Sequence, residues 1–212
     1  MKQGVIFDMD GTLWDSSDHV AKSWDQVVRK EKNGLREITR EDIQNVMGLT
    51  MTDIAKTLFP MLDEEEAIAL TDRCGEYENA YLRMHGGMLY PRLEETLKIL
   101  AQKYPLYIVS NCQKGYIEAF LDYYGFWKYF QDTECFGNNN MGKAFNIGLV
   151  VKRNGIDHAV YVGDIQGDYR ASKEAGVDFV HAAYGFGRIH EKVPAVAALE
   201  ELPKMLEAVF SE

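Results

Sequence analysis

Short apolar runs alternate with amphipathic stretches along most of this chain, and that alternation restricts the fold more than any other feature. Val5, Ile6 and Phe7 make Gln3 to Asp8 a buried strand, and Leu106-Tyr107-Ile108-Val109, Ala159 to Val162 and Asp178 to His181 read the same way. Thr133 to Phe136 reads as a shorter strand. Between them the spacing predicts helices. One is opened by Pro91 and runs through Leu93, Leu97 and Leu100; others span about Gly115 to Tyr124, Lys143 to Arg153, Tyr169 to Ala175 and Leu199 to Phe210. Strands separated by helices of this length predict an α/β fold, a parallel sheet flanked by helices on both faces.

One stretch breaks the alternation. From Ser16 to about His85 the text is helical, without a convincing strand, and it is too long for a simple crossover. Ser17 or Asp18 is the expected cap of a helix carrying Val20, Trp24, Val27 and Val28. Thr39-Arg40-Glu41-Asp42 has the spacing of a capping box. Asp63-Glu64-Glu65-Glu66 opens a third long helix where the macrodipole favours acid. The expected organisation is a catalytic core of residues 1–16 and 87–212 with an all-helical cap domain, 17–86, inserted into it. The spacing of Trp24, Met47, Leu58 and Phe59 suggests cap core more than a substrate slot.

Charge and composition narrow the partners. The net charge is −10, and the one basic run, Arg29-Lys30-Glu31-Lys32, is short and interrupted, so a nucleic-acid partner is not expected. No apolar run is long enough to span a bilayer, and the first strand begins too early for a secretory leader to precede it. A cytoplasmic location is the default expectation, with no membrane partner. Cys74, Cys112 and Cys135 lack close metal-ligand spacing and are expected to be reduced packing residues. An acidic protein that handles a phosphate must concentrate positive charge at its site, which a divalent metal does well.

Four clusters carry chemistry, each expected at the C-terminal end of a strand, where open parallel sheets bind their ligands. In Asp8-Met9-Asp10-Gly11-Thr12-Leu13, residues two apart on extended chain point the same way, so both carboxylates face one pocket. Carboxylates so crowded repel unless a cation sits between them, and Mg²⁺ suits an oxygen-only site that also meets phosphate. Asp8 is then an ionised nucleophile, and Asp10 a general acid and base for the leaving alkoxide and the attacking water. Gly11 allows a sharp turn, and Thr12 joins Ser110 and Asn111 as the candidates to hold phosphate oxygens. Taken alone, Ser110-Asn111 reads equally as a turn or helix cap. Lys143 is a candidate to neutralise a phosphate oxygen. In Gly163-Asp164-Ile165-Gln166-Gly167-Asp168, Asp164 supplies a third carboxylate to the metal. Asp168 either bonds to Lys143 or to metal-bound water, orienting it, or is only a helix N-terminal charge.

In order, Asp8 to Leu13, Ser110-Asn111, Lys143 and Gly163-Asp164 with Asp168 resemble the four motifs of the haloacid dehalogenase-like hydrolases. Asp10-Gly11-Thr12-Leu13-Trp14-Asp15-Ser16 and the helical insert resemble the phosphoglycolate phosphatase and β-phosphoglucomutase branch. The resemblance implies a Rossmann-like core with a helical cap after the first motif, Asp8 as nucleophile and Asp10 as acid/base. It implies Mg²⁺ held by the Asp8 carboxylate, the Asp10 backbone carbonyl and Asp164, with Ser110 and Lys143 on the transferring phosphoryl group. The spacing alone leaves the Asp10 side chain open as the metal ligand. An aspartate at position 10 resembles a phosphatase or phosphomutase, since an alkoxide leaving group needs a proton and a halide does not. One departure stands out: Lys143 is followed by Ala144, where the family usually has proline.

The expected function is Mg²⁺-dependent hydrolysis of a small organic phosphate monoester. The alternatives are a phosphomutase with the same nucleophile and, remotely, a non-enzymatic phospho-acceptor or interaction protein. From Ser17 to Met88 nine Lys/Arg face fourteen Asp/Glu, which disfavours a polyanionic substrate. Arg36, Arg40, Arg73, Arg83, His85, Arg188 and His190 are the basic residues weighed for substrate contact, with solvation the expectation for most of the arginines.

Overall fold

The computed structural model describes residues 1–211. The chain runs β1 (Gln3–Phe7), β2 (Trp14–Asp15), α1 (Ser17–Glu31), α2 (Arg40–Val46), α3 (Met51–Leu58), α4 (Glu64–His85) and β3 (Met88–Leu89). It continues α5 (Leu93–Ala101), β4 (Leu106–Ser110), α6 (Tyr116–Tyr124), β5 (Phe130–Cys135), α7 (Phe136–Asn139) and α8 (Lys143–Asn154). Last come β6 (His158–Gly163), α9 (Gln166–Ala175), β7 (Asp178–Ala182), β8 (Ala195–Val196) and α10 (Leu202–Val209).

Six strands form one parallel sheet in the order β5-β4-β1-β6-β7-β8. The chain leaves β1 for β4 and β5 on one side and returns for β6, β7 and β8 on the other. The strand order therefore reverses at β1, and the crevice beyond its C-terminal end is where such sheets bind ligands. Successive residues of β1 serve opposite faces: Val5 and Phe7 join the larger core, whereas Ile6 packs with Tyr107, Ile147 and Tyr161 on the other side. A strand buried on both faces needs an unbroken apolar run, which Val5-Ile6-Phe7 supplies.

Between β1 and β3 every element longer than two residues is a helix. β2 and β3 pair antiparallel, Trp14 with Leu89 and Asp15 with Met88, bringing the departing and returning chain together as a two-stranded stem. Neither strand was legible, because two residues carry no periodicity. The capping box on α2 forms as the spacing predicts, with Thr39 and Asp42 exchanging hydrogen bonds. The expected cap of α1 does not: Ser16 is the boundary residue, and Ser17 lies inside the helix with its hydroxyl on Asp15 Oδ1. Asp15 competes successfully because Ser17 N–H donates to the same oxygen at 3.0 Å.

The long α4 buries Ala67, Leu70, Thr71, Cys74, Gly75, Glu78, Asn79 and Leu82. These fall at helical spacing on one stripe, and Glu78 lies on it among apolar residues. Leu58 and Phe59 are core, as their spacing suggests. The three cysteines are free. Among the described residues, no helix is long and apolar enough to cross a membrane.

Candidate active site

Strand ends deliver the charged residues. Asp8 follows β1, Ser110 ends β4, and Asp164 follows β6, whose Val162 is in register with Phe7. Lys143 arrives differently: it begins α8, beyond the short α7, instead of ending a strand. Its Nζ donates to Asp8 Oδ1 at 2.7 Å and to Asp168 Oδ1 at 2.5 Å, and all three residues are buried. The missing proline after Lys143 therefore does not displace it. Asp168, in the first turn of α9, accepts the Asp164 and Ile165 backbone N–H groups on its other oxygen. It thus fixes the loop that carries Asp164 as well as the lysine.

The Asp10 carboxylate does not join that of Asp8 in the close-set group. Gly11, Thr12 and Leu13 turn back, with the Thr12 and Leu13 N–H groups on the Met9 carbonyl, so the two-residue alternation of a strand ends at Asp8. Asp10 Oδ1 instead accepts Ser16 Oγ and Tyr116 Oη, each at 2.7 Å. The close-set carboxylates are Asp8, Asp164 and Asp168, with oxygens within 4.8 Å of one another. The Asp10 side chain, left open by spacing as a metal ligand, is absent from that group.

Electrostatics follow from this burial. Desolvation raises Asp8 to about 7 against the pull of Lys143, and Asp168 adds to the rise. Desolvation raises Asp164 to about 8, with Asp168 and Asp8 pushing the same way. Burial raises Asp10 to about 6, while hydrogen bonds from Tyr116 and Ser16 restrain it. Burial would lower the Lys143 ammonium, but Asp168 and Asp8 hold it well above the ordinary lysine range.

A divalent metal fits this donor set. One ammonium faces three buried carboxyls, and Asp164 Oδ1 is buried without any hydrogen-bond partner. Its other oxygen accepts the Phe186 N–H at 2.7 Å, so the side chain is held and the bare oxygen has a fixed direction. Close approach is built in by glycine: Gly11 has φ +81°, and a Cβ there would stand 2.0 Å from Asp164 Oδ2. Oxygen-only coordination of mixed carboxylates suits a hard cation.

Beside Asp10 lies a second chamber of about 60 Å³, room for only a few waters. Ser110, Asn111 and Tyr116 of the core line it with Trp24, Met47 and Glu78 of the helical insert. Trp24 and Met47 pack in the core as their spacing suggests, and they also form part of the chamber wall. Glu78 accepts Trp24 Nε1–H on one oxygen and Gln113 Nε2–H, at 3.1 Å, on the other. Burial raises its carboxyl to about 8 while these hydrogen bonds oppose the rise. Sequence reading missed Glu78; the available signal was an acid four residues from both Cys74 and Leu82 on a buried helix stripe.

Other expected residues take different positions. Asn111 gives its Nδ2–H to Gly48 O at 3.0 Å, tying the core to the insert, and its buried Oδ1 has no partner. One Nδ2 hydrogen is thereby committed, which leaves the other, together with the bare Oδ1, for a ligand. Thr12 Oγ1 is buried and unpartnered, and its carbonyl accepts Tyr184 Oη–H. The arginines of the insert are in ion pairs: Arg36 with Asp42, Arg40 with Asp15, Arg73 with Glu31 and Arg83 with Asp122. His85, Arg188 and His190 are exposed.

Comparison with known proteins agrees with this geometry. Residues 5–182 match the model of the haloacid dehalogenase-like hydrolases. A phosphoglycolate phosphatase of Pseudomonas fluorescens is 31% identical over 91% of this chain and 74% of its own length. A second phosphoglycolate phosphatase, from Vibrio parahaemolyticus, is 26% identical over 97% of this chain and 95% of its own. Among solved structures, a haloacid dehalogenase-like hydrolase family protein of Streptococcus pneumoniae superposes with a TM-score of 0.78 at 20% identity, covering 96% of this chain and 98% of that one. The chain belongs to the haloacid dehalogenase-like hydrolases, in the branch that holds the phosphoglycolate phosphatases.

Proposed function

We propose that this enzyme, a phosphatase of its family, hydrolyses a small organic phosphate monoester with Asp8 as nucleophile and Asp10 as general acid and base. The observation that carries the reading is Lys143 Nζ between Asp8 and Asp168, beside an Asp164 oxygen that is buried with no partner. A lone lysine against three carboxyls leaves negative charge to be balanced, and a phosphate ester would add more.

Mg²⁺ would be held by Asp8 and Asp164, with the Asp10 carbonyl as the third ligand that the family resemblance implies; Asp168 positions Lys143 and the Asp164 loop. When bound, it supplies positive charge that keeps Asp8 ionised and offsets the charge of the phosphoryl oxygens. A carboxylate oxygen of Asp8 attacks phosphorus, and the bond from phosphorus to the ester oxygen breaks. Asp10 gives its proton to the departing alkoxide; a pKa near 6 keeps part of the population protonated at neutral pH. Lys143, with Ser110, holds the phosphoryl oxygens through this transfer. Water then attacks the aspartyl-phosphate while Asp10 takes its proton, the bond to Asp8 breaks, and phosphate leaves. Ser16 and Tyr116 orient Asp10 through both steps. Residues 17–86 act as a cap over the site, the β2–β3 stem being the natural hinge.

Release of free phosphate from p-nitrophenyl phosphate, with Mg²⁺ and after EDTA, tests this reading. Turnover should require the metal, and Asp8→Asn should abolish it while leaving a cooperative melt. Near-normal activity in Asp8→Asn would remove Asp8 as nucleophile. Isomerised sugar phosphate without net phosphate release would favour a phosphomutase.

A further inference from the structure

The leaving group must extend from Asp10 into the chamber under the insert, so the wall of that chamber describes the alcohol. The argument rests on the phosphatase reading above. Val20, Ile43, Val46, Met51 and Ile54 give the chamber an aliphatic wall. Among the described residues, no lysine, arginine or histidine lines it. It holds a buried acid and a fixed, unpartnered acceptor, with no cation to offset either. Asn111 Oδ1 is buried without a partner, and its amide is fixed the right way round by the bond from Nδ2 to Gly48 O. Glu78 is 3% exposed and takes one N–H on each oxygen; its ionised form, which a cation or donor entering the chamber favours over the protonated form that burial sets, has about four acceptor sites in all. Of the two hydroxyls that line it, Tyr116 Oη is already spent on Asp10, and Ser110 is the one assigned above to the phosphoryl oxygens.

A carboxylate is acceptor-only when ionised. Entering this chamber, it would lose water among aliphatic side chains, find Asn111 Oδ1 and Glu78 facing it, and meet no cation. An ammonium or hydroxyl group finds both acceptors. Its arrival also favours the ionised form of Glu78, opposing the effect of burial, whereas a second carboxylate does the reverse. We propose that Glu78 and Asn111 select a phosphate ester whose alcohol bears a hydrogen-bond donor, ammonium or hydroxyl, on a short aliphatic body, and that they reject carboxylate-bearing esters such as 2-phosphoglycolate. The substrate class thus departs from the one named for the two phosphoglycolate phosphatases that the chain resembles.

Three probes of nearly equal size separate the possibilities: 2-aminoethyl phosphate, 2-hydroxyethyl phosphate and 2-phosphoglycolate, each assayed with Mg²⁺ alongside p-nitrophenyl phosphate. The expected kcat/KM for the better donor-bearing ester exceeds that for 2-phosphoglycolate at least tenfold. Glu78→Gln should shrink that ratio at least fivefold; if it fails to melt cooperatively, Glu78→Asp reads the same ratio with the carboxylate withdrawn. Aryl phosphate turnover with 2-phosphoglycolate equal or preferred overturns this inference and leaves the phosphatase reading standing. A wild-type preference that both Glu78 variants retain in full overturns the role of Glu78. Absence of turnover with all four esters overturns the phosphatase reading and this inference together.

Discussion

The two sides of this active site are built from different materials. On the sheet side, Asp8, Lys143, Asp164 and Asp168 crowd charge into a dry volume, each held by rigid strand ends or a first helical turn. On the helical side, aliphatic residues and Trp24 surround one acid, Glu78, that has N–H partners but no cation. In the proposed reading the first region faces the phosphoryl group common to every ester, and the second faces the part that differs among them. Division of labour follows from mechanics. Parallel strands fix oxygen positions tightly enough for transfer, whereas side chains on helices can be exchanged without disturbing that geometry.

The comparison can be broken most forcibly at Lys143. Lys143→Met removes the ammonium between Asp8 and Asp168 while keeping the apolar stem. Turnover of p-nitrophenyl phosphate should fall by about 10² to 10³, the scale of losing one charge-stabilising donor. Stability without metal should drop by roughly 3–5 kcal/mol, because two carboxyls remain buried without their partner. The ranking of esters, read as ratios of kcat/KM, should not move. A changed ranking would show that the two regions are not separate.

Glu78 gives the converse test, through stability and pH. Its folded carboxyl sits near 8 against an ordinary 4.5, so the folded protein holds this proton more tightly than the unfolded chain. The associated stability is fully present below about 4.5 and is lost as pH rises through about 8. Glu78→Gln carries no such proton. Denaturant unfolding in EDTA should therefore show Glu78→Gln gaining on the wild type from pH 5 to pH 9, by on the order of a few kcal/mol. Trp24, Gln113 and Asp10 surround the group in both proteins, so they cancel in the difference. Parallel pH curves would mean that Glu78 titrates as an ordinary surface acid.

Gly11 probes how tightly the sheet side is packed. Gly11→Ala puts a methyl group 2.0 Å from Asp164 Oδ2 at a backbone φ of +81°. The left-handed conformation alone costs about 1–2 kcal/mol for a non-glycine residue. Asp164 must also move, so the Mg²⁺ concentration giving half-maximal activity should rise at least tenfold. An unchanged metal requirement would detach Asp164 from the metal.

The sheet side was the legible side. A strand buried on both faces writes its identity in consecutive residues, and Val5-Ile6-Phe7 ends directly at Asp8. Asp164 and Ser110 could be found the same way, from apolar runs stopping at polar residues. Asp10 was legible as a residue but not as a direction, because the turn after Asp8 replaces strand alternation with hydrogen bonds to the Met9 carbonyl. The helical side was mostly silent. A buried stripe does not say whether it also borders a chamber, which is why the second role of Trp24 and Met47, beside packing, left no trace. The stem of β2 and β3 depends on pairing across more than seventy residues, and two-residue strands leave no local trace.

The smallest effect belongs to the stem, which serves both regions and contributes chemistry to neither. Arg40 of α2 reaches Asp15 of β2 at 2.7 Å, and its side chain is 45% exposed. The Asp15 side chain is only 7% exposed, but the arginine end is open, so removing Arg40 admits water to Asp15 Oδ2 and the pair contributes about 1 kcal/mol. Asp15 keeps the Ser17 N–H and hydroxyl on Oδ1 when the arginine is removed, and water entering the vacated, exposed space takes its place on Oδ2. Arg40→Ala should therefore lower stability by about 1 kcal/mol or less, change kcat by less than about threefold, and leave the ester ranking intact. Equilibrium denaturation and the three-ester assay together check this. A larger fall in kcat with unchanged stability would mean that Arg40 sets the closed position of the insert, and the stem would then couple the two regions instead of merely joining them.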